Sequence, residues 1–382
     1  MLDAHLLFWL SVLILAYTYL GYPALMFVRA CLRFPPARLP AVEPTVTVLI
    51  VAYNEARRIE QRLENVLSLD YPRNRLEIIV ASDGSTDGTA EKARAYEREG
   101  VTVIAFEARR GKPAVLNDLI LKAQGEIVVL ADARQRFDAG ALRALLGSFA
   151  DPQVGAVSGE LILTDNAEGT AAGGGVGFYW GYEKFIRWSE SCVDSTVGAT
   201  GAIYAIRRDL FEPIQEDTIL DDVLIPMRIA RKGYRVLFEP GARAWDRAAA
   251  TPREEFTRKV RTIAGNFHLF ARELWLLNPF LNRLWLQTLS HKGLRLLSPV
   301  LLMTAFWANC LLTANPLYRA ALGGQVLFYA AALGGYFLRH AHRSLPILSV
   351  PYMFCLLHWA TVVAFFRFVT GRQHVMWERI PR

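Results

Sequence analysis

Three acids stand just past the ends of short apolar runs, and a lysine opens a helical pattern between two of them. The run Glu126-Ile-Val-Val-Leu-Ala-Asp-Ala-Arg134 is too brief for a helix and ends on Asp132. Such a run reads as a fully buried strand of a parallel sheet. Its terminal carboxylate lies where open α/β sheets bind ligands, in the crevice outside the strand ends. There Asp132 offers a hard oxygen to a divalent cation that bridges a phosphate; the alternative is a simple turn cap. Val51-Ala-Tyr-Asn-Glu55 carries an aromatic that can stack on a base and an acid that can accept from its ring or ribose. Ordinary helix-start roles for Asn54 and Glu55 are the alternative there. Asp83, in Ala81-Ser-Asp-Gly-Ser-Thr-Asp-Gly-Thr89, belongs beside that loop in a parallel sheet, with glycines for a tight turn. Arg109-Arg-Gly-Lys-Pro-Ala-Val-Leu-Asn117 puts Lys112 and free backbone N–H groups at a helix start, which suits a phosphate. A solvated basic turn is its bland reading.

These loops need strands to hold them. Apolar runs at 46–51, 76–80, 101–106 and 127–130 alternate with helical patterns around Ile59, Leu63 and Val66, at 90–99 and at 115–121. Strands spaced by helices of this length predict a right-handed, mostly parallel α/β sheet. Thr86 or Asp87 is the expected N-cap of the second helix, and Asp138 of the helix after the fourth strand. Between 151 and 204 the pattern loosens around a small-residue patch at 169–177, which reads either as a mobile loop or as a place of close substrate approach. Residues 217–231 read as helix and 234–238 as strand.

The rest of the chain points to a membrane. Of 382 residues 53% are hydrophobic and 21% charged, and mean hydropathy is +0.20, the balance of a membrane protein with a soluble insert. Residues 6–28 are uncharged and long enough to cross a bilayer. They read as an anchor and not a removed signal peptide. Arg29, Arg33 and Arg38 follow, which predicts a cytoplasmic position for the next domain. Residues 252–276 are amphipathic, with Phe256, Val260, Ile263 and Phe267 in one stripe, and are expected to lie along the membrane surface. Apolar stretches at 296–312, 326–338 and 347–366 come next, with His291, Lys292 and Arg295 marking the edge of the first. Three further crossings would leave the basic tail 372–382 outside, against the positive-inside rule; a re-entrant or interfacial stretch would resolve the conflict, and the sequence leaves the parity open. The net charge of +7 suits an anionic leaflet or a phosphate-bearing substrate, and no nucleic-acid motif accompanies it. Cys31, Cys192, Cys310 and Cys355 form no C-x-x-C pair, so neither a disulfide framework nor a zinc site is expected.

The order of the four strand-end loops resembles the family 2 glycosyltransferases, inverting enzymes of the GT-A fold that use nucleotide sugars. The resemblance runs over 45–266, and the membrane flanks are similar to the polysaccharide-synthase branch. It implies an anchor at 1–40, a GT-A domain at 41–250, amphipathic interfacial helices at 251–290 and a C-terminal membrane region at 291–382. It also implies that Ala52, Tyr53, Glu55 and Asp83 hold the nucleobase and ribose of a UDP-sugar. Lys112 would approach the diphosphate and Asp132 the metal. Gly198-Ala-Thr-Gly201 resembles the acceptor-side loop of the family, which assigns Thr200 and Gly201 to the acceptor. Thr218-Ile-Leu-Asp-Asp-Val223 is similar to the threonine-x-x-Glu-Asp motif, with Asp221 in place of glutamate. Inverting transfer needs a carboxylate to take the acceptor hydroxyl proton, and Asp222 matches that position. A doubly acidic helix start stabilised by the dipole is the structural alternative. Trp180, Tyr182 and Glu183, with Lys184 and Arg187, either line a groove for a polysaccharide or lipid-linked acceptor or pack an aromatic helix face on the core or the membrane.

Two motifs depart from the family pattern. Its D-x-D reads Asp132-Ala-Arg134, without the second carboxylate, and its Gln-x-x-Arg-Trp reads Arg258-Lys-Val-Arg261-Thr262. Arg258 and Arg261 remain candidates for the leaving diphosphate, while processivity does not carry over with the tryptophan gone. The reduced acid pair also suits a nucleotide-sugar-binding regulator of a partner synthase, or a non-processive glycolipid enzyme.

Overall fold

The computed structural model describes residues 2–33, 42–164, 171–247, 251–338 and 345–373. Arg38, the expected boundaries at residues 40 and 250, Gly169 and the tail beyond Gln373 lie outside them. The chain opens with α1 (Leu2–Ala16), a π-helical turn at Tyr17–Gly21 and α2 (Tyr22–Cys31). An alternation follows: β1 (Val46–Ala52), α3 (Ile59–Leu67), β2 (Leu76–Asp83), α4 (Thr89–Arg94), β3 (Val101–Phe106), α5 (Lys112–Ile120) and β4 (Ile127–Asp132). Next come β5 (Arg136–Phe137), α6 (Ala141–Gly147), β6 (Val154–Thr164), α7 (Ala171–Val193), β7 (Ile203–Arg207), α8 (Asp221–Arg231) and β8 (Arg235–Arg247). The chain then runs through α9 (Pro252–Arg272), α10 (Trp285–Gln287), a second π-helical turn at Thr288–Gly293, α11 (Leu294–Leu311), α12 (Pro316–Phe337) and α13 (Pro346–Val369).

The four apolar runs are strands, and their side chains alternate between two cores. Leu49, Ile79, Val128 and Leu130 face one cluster with α5 and α8. Val48, Ile50, Val80 and Val129 face the other with α3 and α6. Burial on both faces is why these runs read as continuously apolar. The strands form one sheet in the order β3-β2-β1-β4-β7-β6-β8-β5. Its first half is parallel as expected, but the whole is mixed. β7 runs antiparallel to β4, with Ala131 opposite Ile203 and Ile127 opposite Arg207. This reversal has a use: the loop before β7 enters beside the end of β4, so Thr200 and Gly201 arrive next to Asp132. The small-residue patch is not a loop where it is described, since residues 171–177 belong to α7. The expected N-caps shift too. Gly88 and Gly140 hold the two N-cap positions; Asp87, one residue before the cap, accepts the Thr89 N–H, and the Asp138 carboxylate accepts the Trp245 indole N–H.

Among the described residues four helices are long and apolar enough to cross a membrane: Asp3–Cys31, Trp285–Leu311, Pro316–Phe337 and Pro346–Val369. Leu6, Leu13, Leu20, Leu327, Phe337 and Trp359 on their outer faces are exposed. Lys292, at the start of the second helix, and Arg367, Gly371 and Arg372, at the end of the last, line one and the same cavity. The stripe on α9 has a different partner from the one expected. Val260 and Ala264 pack on Ala360 and Ala364 of α13, and Phe267 stacks on Phe368 with ring centroids 5.8 Å apart. A helix covers the face expected to rest on the membrane surface.

Candidate active site

The parallel register brings the strand-end residues together. Ala52 lies opposite Ser82, and Val51 opposite Asp132. Beyond β1 the chain turns at Asn54, whose φ of 55° is left-handed. The Asn54 side chain accepts the Thr86 N–H at 2.8 Å, and the Glu55 N–H donates to Thr89 Oγ1 at 2.8 Å. The first two loops are thus one hydrogen-bonded unit. Asp83, nearly buried, accepts the Arg110 N–H at 2.7 Å and the Gly111 N–H at 2.8 Å. Gly84, with φ of 67°, approaches so closely that a Cβ there would lie 2.4 Å from the Arg109 nitrogen. Asp83 and Gly84 therefore anchor the loop that delivers Lys112 to the first turn of α5. The Arg109 guanidinium sits 3.8 Å above the Tyr53 ring, a geometry that prepares this aromatic for stacking.

Lys112 is the electrostatic centre. Its Nζ lies 3.1 Å from Asp132 Oδ1 and 3.3 Å from Asp221 Oδ2. Burial opposes its charge, but Asp132, Asp221 and Asp222 outweigh this and hold the ammonium above its ordinary pKa. Burial likewise opposes the Asp132 charge, yet Lys112, Arg134 and Arg62 hold its carboxyl below the usual range. Arg134, where a second acid is expected, is turned to Asp246, with Nε 3.1 Å from Oδ2.

Asp221 and Asp222 open α8 and serve different ends. Asp221 is buried and accepts from the Tyr204 hydroxyl at 3.3 Å. Asp222 is half-buried and accepts the Gly201 N–H at 3.0 Å, while its carbonyl accepts the Ala199 N–H at 2.7 Å. The loop read as acceptor-side thus also grips the candidate base. Burial, and then the neighbouring Asp221 charge, push the Asp222 carboxyl up to about 6, against the lowering pull of Lys112, Lys292 and Arg187. That leaves a carboxylate ionised at neutral pH but more basic than an ordinary aspartate.

The charged groups Asp83, Arg109, Lys112, Asp132, Asp221 and Asp222 line one cleft of about 2290 Å³. Tyr53, Glu55, Asp83, Lys112 and Asp132 stand on its strand-end side, and Thr200, Gly201, Asp221 and Asp222 border it. Trp180, Glu183, Arg258 and Arg261 line it as well. Arg258 is paired with Glu254 of its own helix at 2.7 Å. Three residues assigned from sequence, Ala52, Tyr182 and Lys184, are not in the lining. Ala52 is buried inside β1, and Tyr182 points the other way, donating to the Tyr19 carbonyl at 2.8 Å. Lys184 pairs with Glu160 at 2.7 Å. Glu183 reaches the cleft but is committed elsewhere: it pairs with Arg295 and with His291 Nε2, the latter at 3.0 Å. Burial opposes its charge, and Arg295 and His291 hold it well below the ordinary value. His291 is not at a solvent edge; it is buried between Glu183 and Glu190, with Nδ1 2.9 Å from the latter. Sequence reasoning missed Arg109, Tyr204 and the Arg367–Gln373 approach. Only the Arg109-Arg110 doublet carried a local signal for any of them.

Among the described residues no group of three or more His, Cys, Asp or Glu forms a metal cage. Asp132 supplies a single carboxylate, which fits a cation held mainly by substrate phosphates, since Mg2+ characteristically uses one or two carboxylates plus phosphate oxygens.

Residues 47–214 match the family model described as glycosyl transferase family 2. The chain carries a family 2 glycosyltransferase domain. Poly-beta-1,6-N-acetyl-D-glucosamine synthase of Staphylococcus aureus (strain COL) is 27% identical over 244 residues, 60% of this chain and 56% of that protein. "Probable glycosyltransferase YdaM" of Bacillus subtilis (strain 168) is 27% identical over 244 residues, 60% of this chain and 57% of that one. The match thus spans little more than half the length of these curated relatives. A solved mannosyltransferase from Pyrobaculum calidifontis, in complex with GDP-Man and Mn2+, is 25% identical with a TM-score of 0.73. That likeness covers 96% of this chain and 99% of the mannosyltransferase. The glycosyltransferase core is of GT-A type, a Rossmann-like mixed sheet flanked by apolar helices.

Proposed function

We propose that this glycosyltransferase is membrane-bound and inverting, moving a sugar from a UDP donor to a polysaccharide or lipid-linked acceptor with Asp222 as general base. The observation that carries the reading is the placement of Asp222 on the same cleft as the Lys112–Asp132 pair. In the step, the acceptor O–H gives its proton to Asp222 and its oxygen bonds to the anomeric carbon. The bond from that carbon to the diphosphate oxygen breaks, and the electron pair leaves with the nucleoside diphosphate. Tyr53 and Asp83 hold the nucleoside, while Lys112, Arg258 and Arg261 face the departing charge. Asp132 would hold Mg2+ or Mn2+, whose chemistry is to neutralise the diphosphate. The basic residues Arg29 and Arg33 after the first span favour a cytoplasmic catalytic domain.

The test is turnover of the detergent-solubilised chain against UDP- and GDP-sugars with Mn2+, followed by the anomeric configuration of the product. UDP-sugar turnover with inverted configuration is expected; retention, or turnover of GDP-sugars alone, overturns the mechanism or the donor respectively. A second expectation concerns pH. The base must be ionised, so kcat/KM should be flat at neutral pH and fall tenfold per unit below an apparent pKa of about 6. An acid limb near 4 in a pH–rate profile would remove Asp222 from the role.

A further inference from the structure

Arg62 is a buried cation that the proposed step does not use. It stands on α3, is 2% exposed, and lines the cleft. Phe137 covers one face of its guanidinium, with Cζ 3.9 Å from the ring centroid. Nη1 donates to Asn65 Oδ1 at 3.0 Å. Asn65 is itself fixed by Phe137, accepting its N–H at 2.8 Å and donating to its carbonyl at 2.9 Å. The guanidinium is thus held in one orientation by a ring and an amide. Nε and Nη2 have no hydrogen-bond partner among the described residues. These two nitrogens share one edge of the guanidinium, the fork that meets two oxygens of a phosphate or carboxylate side by side. A buried donor left without a partner costs more than its bond would contribute, so this edge calls for an oxyanion.

The surroundings say which one. Burial pushes the Arg62 guanidinium down to about 9 against the pull of Asp132, which leaves it charged at neutral pH. Arg62 is in turn one of the cations, after Lys112 and Arg134, that keep Asp132 ionised against its own burial. Asp132 nevertheless does not meet the fork. Its Oδ1 is on Lys112 at 3.1 Å, and Arg62 forms no ion pair with any described carboxylate. The other acids along this wall are taken: Glu55 by Arg58, Asp246 by Arg134 and Gln135, and Glu64 by the Tyr96 hydroxyl. A divalent cation on Asp132 would add to the positive charge facing Arg62 and could not answer it. The anion that belongs at Asp132 is the donor diphosphate. Helices α5 and α3 cover opposite faces of the sheet, so Lys112 and Arg62 reach that place from its two sides.

We infer that the Nε–Nη2 edge of Arg62 binds a phosphate of the nucleotide-sugar donor, clamping the diphosphate against Lys112 without help from a metal. This rests on the transferase reading and adds a binding residue to its donor site. The test is calorimetric titration of the detergent-solubilised full chain in EDTA, with UDP against uridine and GDP against guanosine. Wild type should bind one of the diphosphates about tenfold or more tighter than its own nucleoside. Arg62→Met should remove about tenfold of that preference and leave nucleoside affinity within about twofold, which also shows that the variant folds. The same loss is expected in an Asp132→Asn background. Unchanged diphosphate affinity in Arg62→Met overturns the inference. So does an equal loss for the nucleoside, which makes Arg62 a packing residue, or a loss that vanishes with Asp132→Asn, which makes it a prop for that carboxylate. A wild type that prefers neither diphosphate until Mn2+ is added overturns it too. The transferase reading fails separately, if wild type turns over no nucleotide sugar with Mn2+ present, whatever it binds.

Discussion

Asp222→Asn should lower kcat by about 10²- to 10⁴-fold, the usual contribution of general acid–base catalysis, while nucleotide affinity stays at the wild-type value. The two halves of this result have separate structural causes. Asparagine keeps an oxygen that can accept the Gly201 N–H, which Asp222 now accepts at 3.0 Å, so the loop that grips the base is preserved. It also keeps the backbone carbonyl that accepts the Ala199 N–H. What it loses is the ability to take a proton. Tyr53 and Asp83 stand at the strand ends, and Lys112 keeps Asp132 and Asp221 as its partners at 3.1 and 3.3 Å when the Asp222 charge is removed. Steady-state kinetics paired with calorimetric titration of UDP would decide the matter. A variant with undiminished kcat, or one that has lost UDP binding along with turnover, removes the base assignment.

The same geometry explains which parts of the site the sequence carries on its face. A residue that ends a buried strand has its position set by the strand itself, so Asp83 and Asp132 were legible from local pattern. Their neighbours followed, because parallel strands bring their C-terminal ends to one edge. Side chains on helices are a harder case. Tyr182 and Glu183 are adjacent, yet a helix turns about 100° between them. One faces the Tyr19 carbonyl and the other the cleft. Nothing local distinguishes them, since the partners lie more than a hundred residues away, in the π-helical turn before α11, in α11 or in the first span. The stripe on α9 reads equally well as a membrane-surface face or a packing face; only the arrival of α13 selects the second. His291 beside Lys292 looks like a charged edge in sequence. The two glutamates that bury it, Glu183 and Glu190, come from α7 and carry no sequence mark of that role.

Lys112→Met and Asp221→Asn should move the acid limb of the rate profile in opposite directions. The Lys112 charge lowers the Asp222 pKa, and the Asp221 charge raises it. Removing the ammonium makes the Asp222 carboxylate harder to form, so the limb shifts above its wild-type position near 6. Removing the Asp221 charge makes it easier to form, and the limb shifts below. Lys112→Met has a larger second effect. It takes away the cation between Asp132 and Asp221, whose side chains are 30% and 10% exposed. Breaking a buried pair by deleting one partner costs about 3–5 kcal/mol, and the partial exposure of Asp132 places this case at about 3 kcal/mol, read as a loss in unfolding free energy. Losing a fixed donor near the leaving group adds a fall of about 10²- to 10³-fold in kcat. Asp221→Asn should cost far less in rate, because its partners are Lys112 and the Tyr204 hydroxyl, not the acceptor. A purely structural lysine would lower stability without displacing the limb, so parallel shifts in the two variants, or none, would sink the idea that Lys112 sets the charge of the base.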